Sequence, residues 1–107
     1  MRKTDAAFAA LADPQRRRAV ELLSERPRRA GELAEALGLS APAMSRHLKT
    51  LKQSGLVEET HPEFDARVRV YALKREGLAA LKTWVDRTEG MWASQLSAFK
   101  AHVEKRR

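Results

Sequence analysis

The sequence predicts a mainly α-helical domain with one β-hairpin, built as a helix-turn-helix followed by a wing and a long terminal helix. Three observations predict it. Two short amphipathic stretches are joined across Gly38 and Ser40 by a turn of about three residues, the spacing of a helix-turn-helix. A segment in which Val68, Val70 and Ala72 alternate with Arg67, Arg69 and Tyr71 follows close behind. From Leu78 to Val103, apolar residues then recur every three or four positions.

The first helix is expected over Asp5 to Leu11, with Phe8 and Leu11 on one face. Asp13-Pro14 reads as an N-cap followed by proline at the first helical position. The helix it opens carries Ala19, Val20, Leu22 and Leu23 as apolar positions and Arg16, Arg17 and Arg18 in its first half. It should end near Ser24, because Pro27 cannot continue it. Ala30, Leu33, Ala34 and Leu37 then recur at helical spacing, and Gly38 sits where a helix C-terminal glycine belongs. Ser40 is placed to cap the next helix, with Pro42 in its first turn.

That next helix should run from about Ala41 to Ser54. Met44, Leu48 and Leu51 define its buried stripe, and Pro42, Ser45, Arg46, Lys49 and Gln53 lie opposite. His47 and Thr50 fall on one flank and Lys52 on the other. No acidic residue occurs between Glu35 and Glu58. A face meant to lie against phosphate excludes carboxylates for Coulomb reasons. Charge alone would equally describe a solvated basic face; the preceding helix and turn favour nucleic acid.

After Gly55, residues 56–61 and 67–73 read as two strands connected by residues 62–66, a hairpin directly after the recognition helix, that is, a wing spanning 56–73. Arg67 and Arg69 share one strand face near its tip, where they could reach a minor groove or its phosphates. The plainer reading is an edge strand protected by charge.

The last segment, about residues 75–105, carries Leu78, Leu81, Val85, Thr88, Trp92, Leu96, Phe99 and Val103 as one stripe, widened by Trp84, Met91 and Gln95. A continuous helix of that length spans about 45 Å, whereas a globule of this size is only about 34 Å across. Part of the stripe would overhang, and an overhanging aromatic stripe implies a partner surface. A second copy related by a two-fold axis is the simplest partner. The interface expected between two copies comprises Phe8, Leu81, Trp84, Val85, Thr88, Trp92, Leu96 and Phe99. The alternative is a break at Gly90, with two helices folding back on one another.

Composition narrows the function. A chain of 107 residues is one domain by length, and 21 basic against 14 acidic residues leave it at a formal +7. A small domain that basic suits a polyanion. There is no cysteine, hence no disulfide, thiolate metal site or thiol nucleophile. No apolar run approaches the roughly 18 residues needed to span a bilayer, and the N-terminus lacks an apolar signal segment, so a cytoplasmic protein without a membrane partner is expected. Phosphate-cradling and hydrolase motifs are missing. Ser45 and His47 are two apart on one helix and do not face each other, and His61 and His102 stand apart from both, so no enzyme is expected.

Five motifs carry a resemblance: Leu11-Ala12-Asp13-Pro14-Gln15-Arg16-Arg17, Gly31-Glu32-Leu33-Ala34-Glu35-Ala36-Leu37, Ser45-Arg46-His47-Leu48-Lys49-Thr50-Leu51, Gly55-Leu56-Val57 and Arg69-Val70-Tyr71-Ala72-Leu73. In this order and spacing the chain resembles ArsR-type (ArsR/SmtB) winged helix-turn-helix transcriptional regulators over nearly its whole length. The Trp84 and Trp92 pair is similar to a subgroup associated with START-like (SRPBCC) proteins. The resemblance implies a cytoplasmic homodimer that binds double-stranded operator DNA, usually as a repressor. It places Ser40, Ala41, Pro42, Ser45, Arg46 and His47 against bases, Lys49 on phosphate, and Arg67 and Arg69 in the wing contact. Metal-sensing members carry cysteines where this chain has Leu33-Ala34-Glu35-Ala36. A second family site needs paired histidines and carboxylates, for which only Asp86, His102 and Glu104 are available. Asp86 and His102 stand about 24 Å apart along one helix; antiparallel pairing could bring them together, but the usual close histidine pair is missing, so no metal and no cofactor is expected. A small-molecule or protein effector is left unassigned. Two other readings stay open: sequence-independent DNA coating, and a winged-helix module that binds protein.

Overall fold

The computed structural model describes residues 2–61 and 67–105. The elements in order are α1 (Lys3–Leu11), α2 (Pro14–Glu25), β1 (Arg28–Arg29), α3 (Ala30–Leu37), α4 (Ala41–Gln53), β2 (Val57–Thr60), β3 (Val70–Leu73) and α5 (Arg75–Lys105). The result is the mainly helical fold with a β-hairpin that the sequence predicts.

Local chemistry sets the helix ends. The Asp13 carboxylate accepts from the Gln15 and Arg16 amides at 2.8 and 3.2 Å, with Pro14 beginning α2. Between α3 and α4 the chain turns through Gly38 at φ 65°, where glycine carries no Cβ penalty. There the Leu39 amide donates to the Ala34 carbonyl at 2.9 Å and the Gly38 amide to Glu35 at 3.2 Å, closing α3 in a Schellman turn. Two residues later the Ser40 hydroxyl accepts from the Ala43 amide at 3.2 Å and opens α4.

The three strands form one antiparallel sheet in the order β1-β3-β2. β1, two residues that pair Arg28 with Tyr71 and Arg29 with Val70, was not expected; so short a segment has no periodicity to read. Both hairpin strands are shorter than anticipated. Arg67 and Arg69 precede β3 rather than lying in it, and the connecting residues 62–66 fall outside the described residues. The inward phase of β3 also differs from its polarity pattern. Val57 pairs with Leu73 and Glu59 with Tyr71, and it is Val57 and Tyr71 that are buried against the helices. Tyr71 therefore turns inward although it alternates in register with the arginines.

The core gathers Ala7 and Ala10 of α1, Ala19 and Leu23 of α2, Leu33 and Ala34 of α3, Met44, Leu48 and Leu51 of α4, Leu56, Val57, Tyr71 and Leu81. Among the described residues no polar or charged residue is buried, so hydrophobic burial organises the domain. At its base, Gly77 in the first turn of α5 packs on the backbone of Gly55 and Leu56; a Cβ there would run into the Gly55 carbonyl oxygen.

α5 is continuous through Gly90, so the fold-back alternative is not adopted. At 31 residues it is about 46 Å long. The molecule measures 70 × 27 × 27 Å, with a radius of gyration of 19.1 Å, against about 13 Å for a compact chain of this length.

Candidate nucleic-acid interface

α4 is anchored by one face. Met44, Leu48 and Leu51 are fully buried, and at 3.6 residues per turn this forces Ser45, Arg46 and Lys49 onto the outside. All three are exposed, as are Ser40, Ala41 and Pro42 at the helix N-terminus. Among the described residues, neither Arg46 nor Lys49 side chain has an ion-pair or hydrogen-bond partner. The structure thus brings six of the expected DNA-facing residues to one surface.

His47 sits differently. It is half-buried on the flank of α4 that faces α2, with Nδ1 3.4 Å from Nη1 of Arg16. Arg16 also donates from Nε to the Ala10 carbonyl at 2.6 Å and from Nη2 to the Ala9 carbonyl at 3.4 Å. It therefore bonds carbonyls in the last turn of α1, that of Ala9 also accepting the Ala12 amide at 3.3 Å, while touching the helix-turn-helix. Burial pushes the nearby Asp13 carboxyl up, but the Arg16 and Gln15 amides outweigh it and hold the group below its ordinary range.

A second arrangement was missed entirely by sequence reasoning. Glu59 of β2 has a side chain only 12% exposed. Its Oε2 accepts from Lys52 Nζ of α4 at 3.1 Å, and its Oε1 stands 3.3 Å from Arg69 Nε and 4.0 Å from His61 Nε2. The bond from Lys52 is the main cause that holds the Glu59 carboxyl below the usual glutamate range. His61 Nδ1 is in turn 3.1 Å from the Val68 carbonyl. The strand register held the signal: Val57 buried implies Glu59 on the same inner face. Arg67 is exposed ahead of β3.

The terminal stripe also divides. Leu81 is 9% exposed and belongs to the intrachain core, so it is covered without a second chain. Phe8 and Trp84 pack edge to face, with ring centroids 5.0 Å apart at 75°, joining α1 to α5. Both remain partly open, and beyond them Val85, Met91, Trp92, Leu96, Phe99 and Val103 are exposed, Trp92 at 61% and Phe99 at 67%. Thr88 donates its hydroxyl to the Trp84 carbonyl at 2.8 Å along the helix. Among the described residues no group of three or more His, Cys, Asp or Glu could hold a metal ion, and no helix is long and apolar enough to cross a membrane.

A buried-stripe helix, a capped turn and a hairpin at its heel are the parts of a winged helix-turn-helix. Residues 13–59 match the family model described as bacterial regulatory protein, arsR family. Across 96% of this chain and 91% of its own length, the HTH-type transcriptional regulator Rv2034 of Mycobacterium tuberculosis is 44% identical. The chain belongs to the ArsR family. It is a transcriptional regulator with the DNA-binding winged helix-turn-helix fold of that family. A shorter stretch is 38% identical to the transcriptional repressor SdpR of Bacillus subtilis, over 49% of this chain and 58% of that one. Among solved structures, an ArsR-like transcriptional regulator from Rhodococcus sp. RHA1 superposes with a TM-score of 0.76 at 28% identity, covering 92% of this chain and 90% of that one. The homodimeric winged helix-turn-helix DNA-binding domain Mb0332 of Mycobacterium bovis gives 0.65 at 25% identity, covering 87% and 83%.

Proposed function

We propose that this ArsR-family protein is a homodimeric repressor that recognises an inverted-repeat operator in double-stranded DNA. The observation that carries the reading is the outward face of α4: Ser45 and the cations Arg46 and Lys49 are exposed, neither cationic side chain has a partner among the described residues, and Met44, Leu48 and Leu51 anchor the opposite face. An exposed arginine on a helix of this kind can bond bidentately to guanine O6 and N7. Lys49, about one turn further on, suits a phosphate. Ser40, Ala41 and Pro42 bring the backbone at the helix start close to the base edges. Arg69 pairs with Glu59 through Nε at 3.3 Å while its side chain stays 66% exposed, which suits a phosphate beside the wing.

Dimerisation is supported by the apolar stripe from Phe8 and Trp84 to Phe99, which this chain leaves uncovered, and by the homodimeric state named for Mb0332. Two reading helices related by a two-fold axis require two half-sites about one helical turn, or a multiple of it, apart. Repression is supported by the likeness to SdpR and needs only occupancy of a promoter. The absence of cysteine from the sequence places the signal that releases the operator outside thiolate metal binding.

Selection from a random duplex pool at near-physiological salt, followed by sequencing, tests the reading. A two-fold-symmetric motif is the expected result. Retention of DNA without any motif would instead support sequence-independent coating, and no retention would shift the function to a protein partner.

A further inference from the structure

The geometry points to Glu59 as a positioning residue that aims the wing and masks one cation of the DNA-facing surface; the inference rests on the DNA-binding reading above. Three segments meet at this one carboxylate. Lys52 comes from the last turn of α4, His61 from the residue after β2, and Arg69 from the residue before β3. Both carboxylate oxygens are engaged, and the side chain is nearly covered. Glu58, next in sequence, points to the opposite face and is exposed, so it is the strand register rather than the mere presence of acid that creates the junction.

Two consequences follow from charge and geometry. First, Arg69 meets Glu59 as an ion pair, Nε 3.3 Å from Oε1. An arginine drawn to that carboxylate is biased in the direction it presents its guanidinium, which influences where the wing can meet phosphate relative to Arg46 in the reading helix. Second, Lys52 lies on the same helix as Lys49 but spends its charge on Glu59. An ammonium paired in this way releases no counterion from DNA, so it adds nothing to sequence-independent binding. Glu59 therefore raises discrimination from both sides: it orders a contact that depends on register and withholds one that does not.

The test uses the full chain, the duplex recovered by selection, and a scrambled duplex of equal length, with affinity measured from low to moderate salt. Glu59→Gln keeps the shape and removes the charge. On the scrambled duplex it should bind several-fold more tightly at low salt, with the log–log salt slope steeper by about one unit as Lys52 becomes available to a phosphate. The ratio of selected to scrambled affinity should fall about tenfold, the scale of one misplaced contact. The double variant Lys52→Gln/Glu59→Gln restores the net charge; its slope should return to that of the parent while the ratio stays low. It also keeps the test open if the single variant loses its fold, which circular dichroism would show. A slope and ratio unchanged by Glu59→Gln, or a uniform loss on both duplexes, would overturn the inference while leaving the DNA-binding reading intact. If the parent chain binds DNA without a motif, the operator reading fails and the slope on scrambled duplex still decides the role of Glu59. If it binds no DNA, both fall.

Discussion

Arg16 of α2 and His47 of α4 meet with Nη1 and Nδ1 3.4 Å apart, at the point where α1 ends. Arg16 spends its Nε and Nη2 on the Ala10 and Ala9 carbonyls, so one side chain ties the N-terminal helix to the flank of the reading helix. A guanidinium only donates, so Nδ1 of His47 is the accepting atom of this contact.

Arg16→Met keeps much of the aliphatic stem and removes every one of these bonds. We expect a loss of about 1–3 kcal/mol, because the Ala10 carbonyl, in a half-buried position, loses a charged donor. Chemical denaturation measures it. A midpoint that does not move would mean that water replaces the guanidinium without cost.

Arg46→Ala and Lys49→Ala should separate by kind rather than by size. Arg46→Ala is expected to cost about 1–3 kcal/mol on the operator and to relax preference at one base position, with little effect on random duplex. Lys49→Ala should weaken both and flatten the salt slope by about one unit. Titrations at several salt concentrations distinguish them; equal losses on both duplexes for Arg46→Ala would remove it from base reading.

Trp92→Ala removes the large exposed ring from the middle of the α5 stripe. Sedimentation should show a monomer at low micromolar concentration, with helicity retained in the helix-turn-helix. A dimer that survives at that concentration would place the interface elsewhere.

The Glu59 carboxyl is held below its unfolded value, ~4.3 for a free glutamate, by the bond from Lys52 first and then by charge. A depressed carboxyl favours the folded state above the unfolded pKa, and that contribution is lost as pH falls through the folded one. Stability should therefore drop on the acid side, below about pH 4. Glu59→Gln should flatten that acid limb by lowering the neutral plateau towards the acid value, and only slightly, since Lys52 and Arg69 are more than half exposed and screened. Thermal melts from pH 7 down to the acid range read the slope directly.

How much was legible in the sequence depends on the range of the interaction. The helix-turn-helix follows from rules that act within one or two turns: Asp13 before Pro14, Gly38 in the left-handed region, Ser40 before Pro42, and the spacing of Met44, Leu48 and Leu51. The length of α5 followed from its period. What escaped was set by partners distant in sequence. β1 exists because β3 offers Tyr71 and Val70 as an edge. Tyr71 turns inward because its strand lies between two others against the helices, which its arginine neighbours do not reveal. Arg16 was read as one of three arginines on a helix, yet it alone reaches α1 and His47. Leu81 read as stripe and turned out to be core, because α1 covers the root of α5 before the overhang begins. The association of Trp84 and Trp92 with START-like proteins rests on the resemblance alone.

The seat of Gly77 on the Gly55 backbone ties the root of α5 to the heel of the reading helix, so a tilt of one is a tilt of the other. From Gly77 to Lys105 the rod runs 28 rises, about 42 Å. A tilt of about 5° at that seat carries the far end through roughly 4 Å, on the order of one base-pair step. The gearing also works in reverse: in the homodimer proposed above, displacing the distal rods by a few ångströms would turn each heel through only a few degrees, a fine adjustment of the pitch at which two reading heads would meet a duplex.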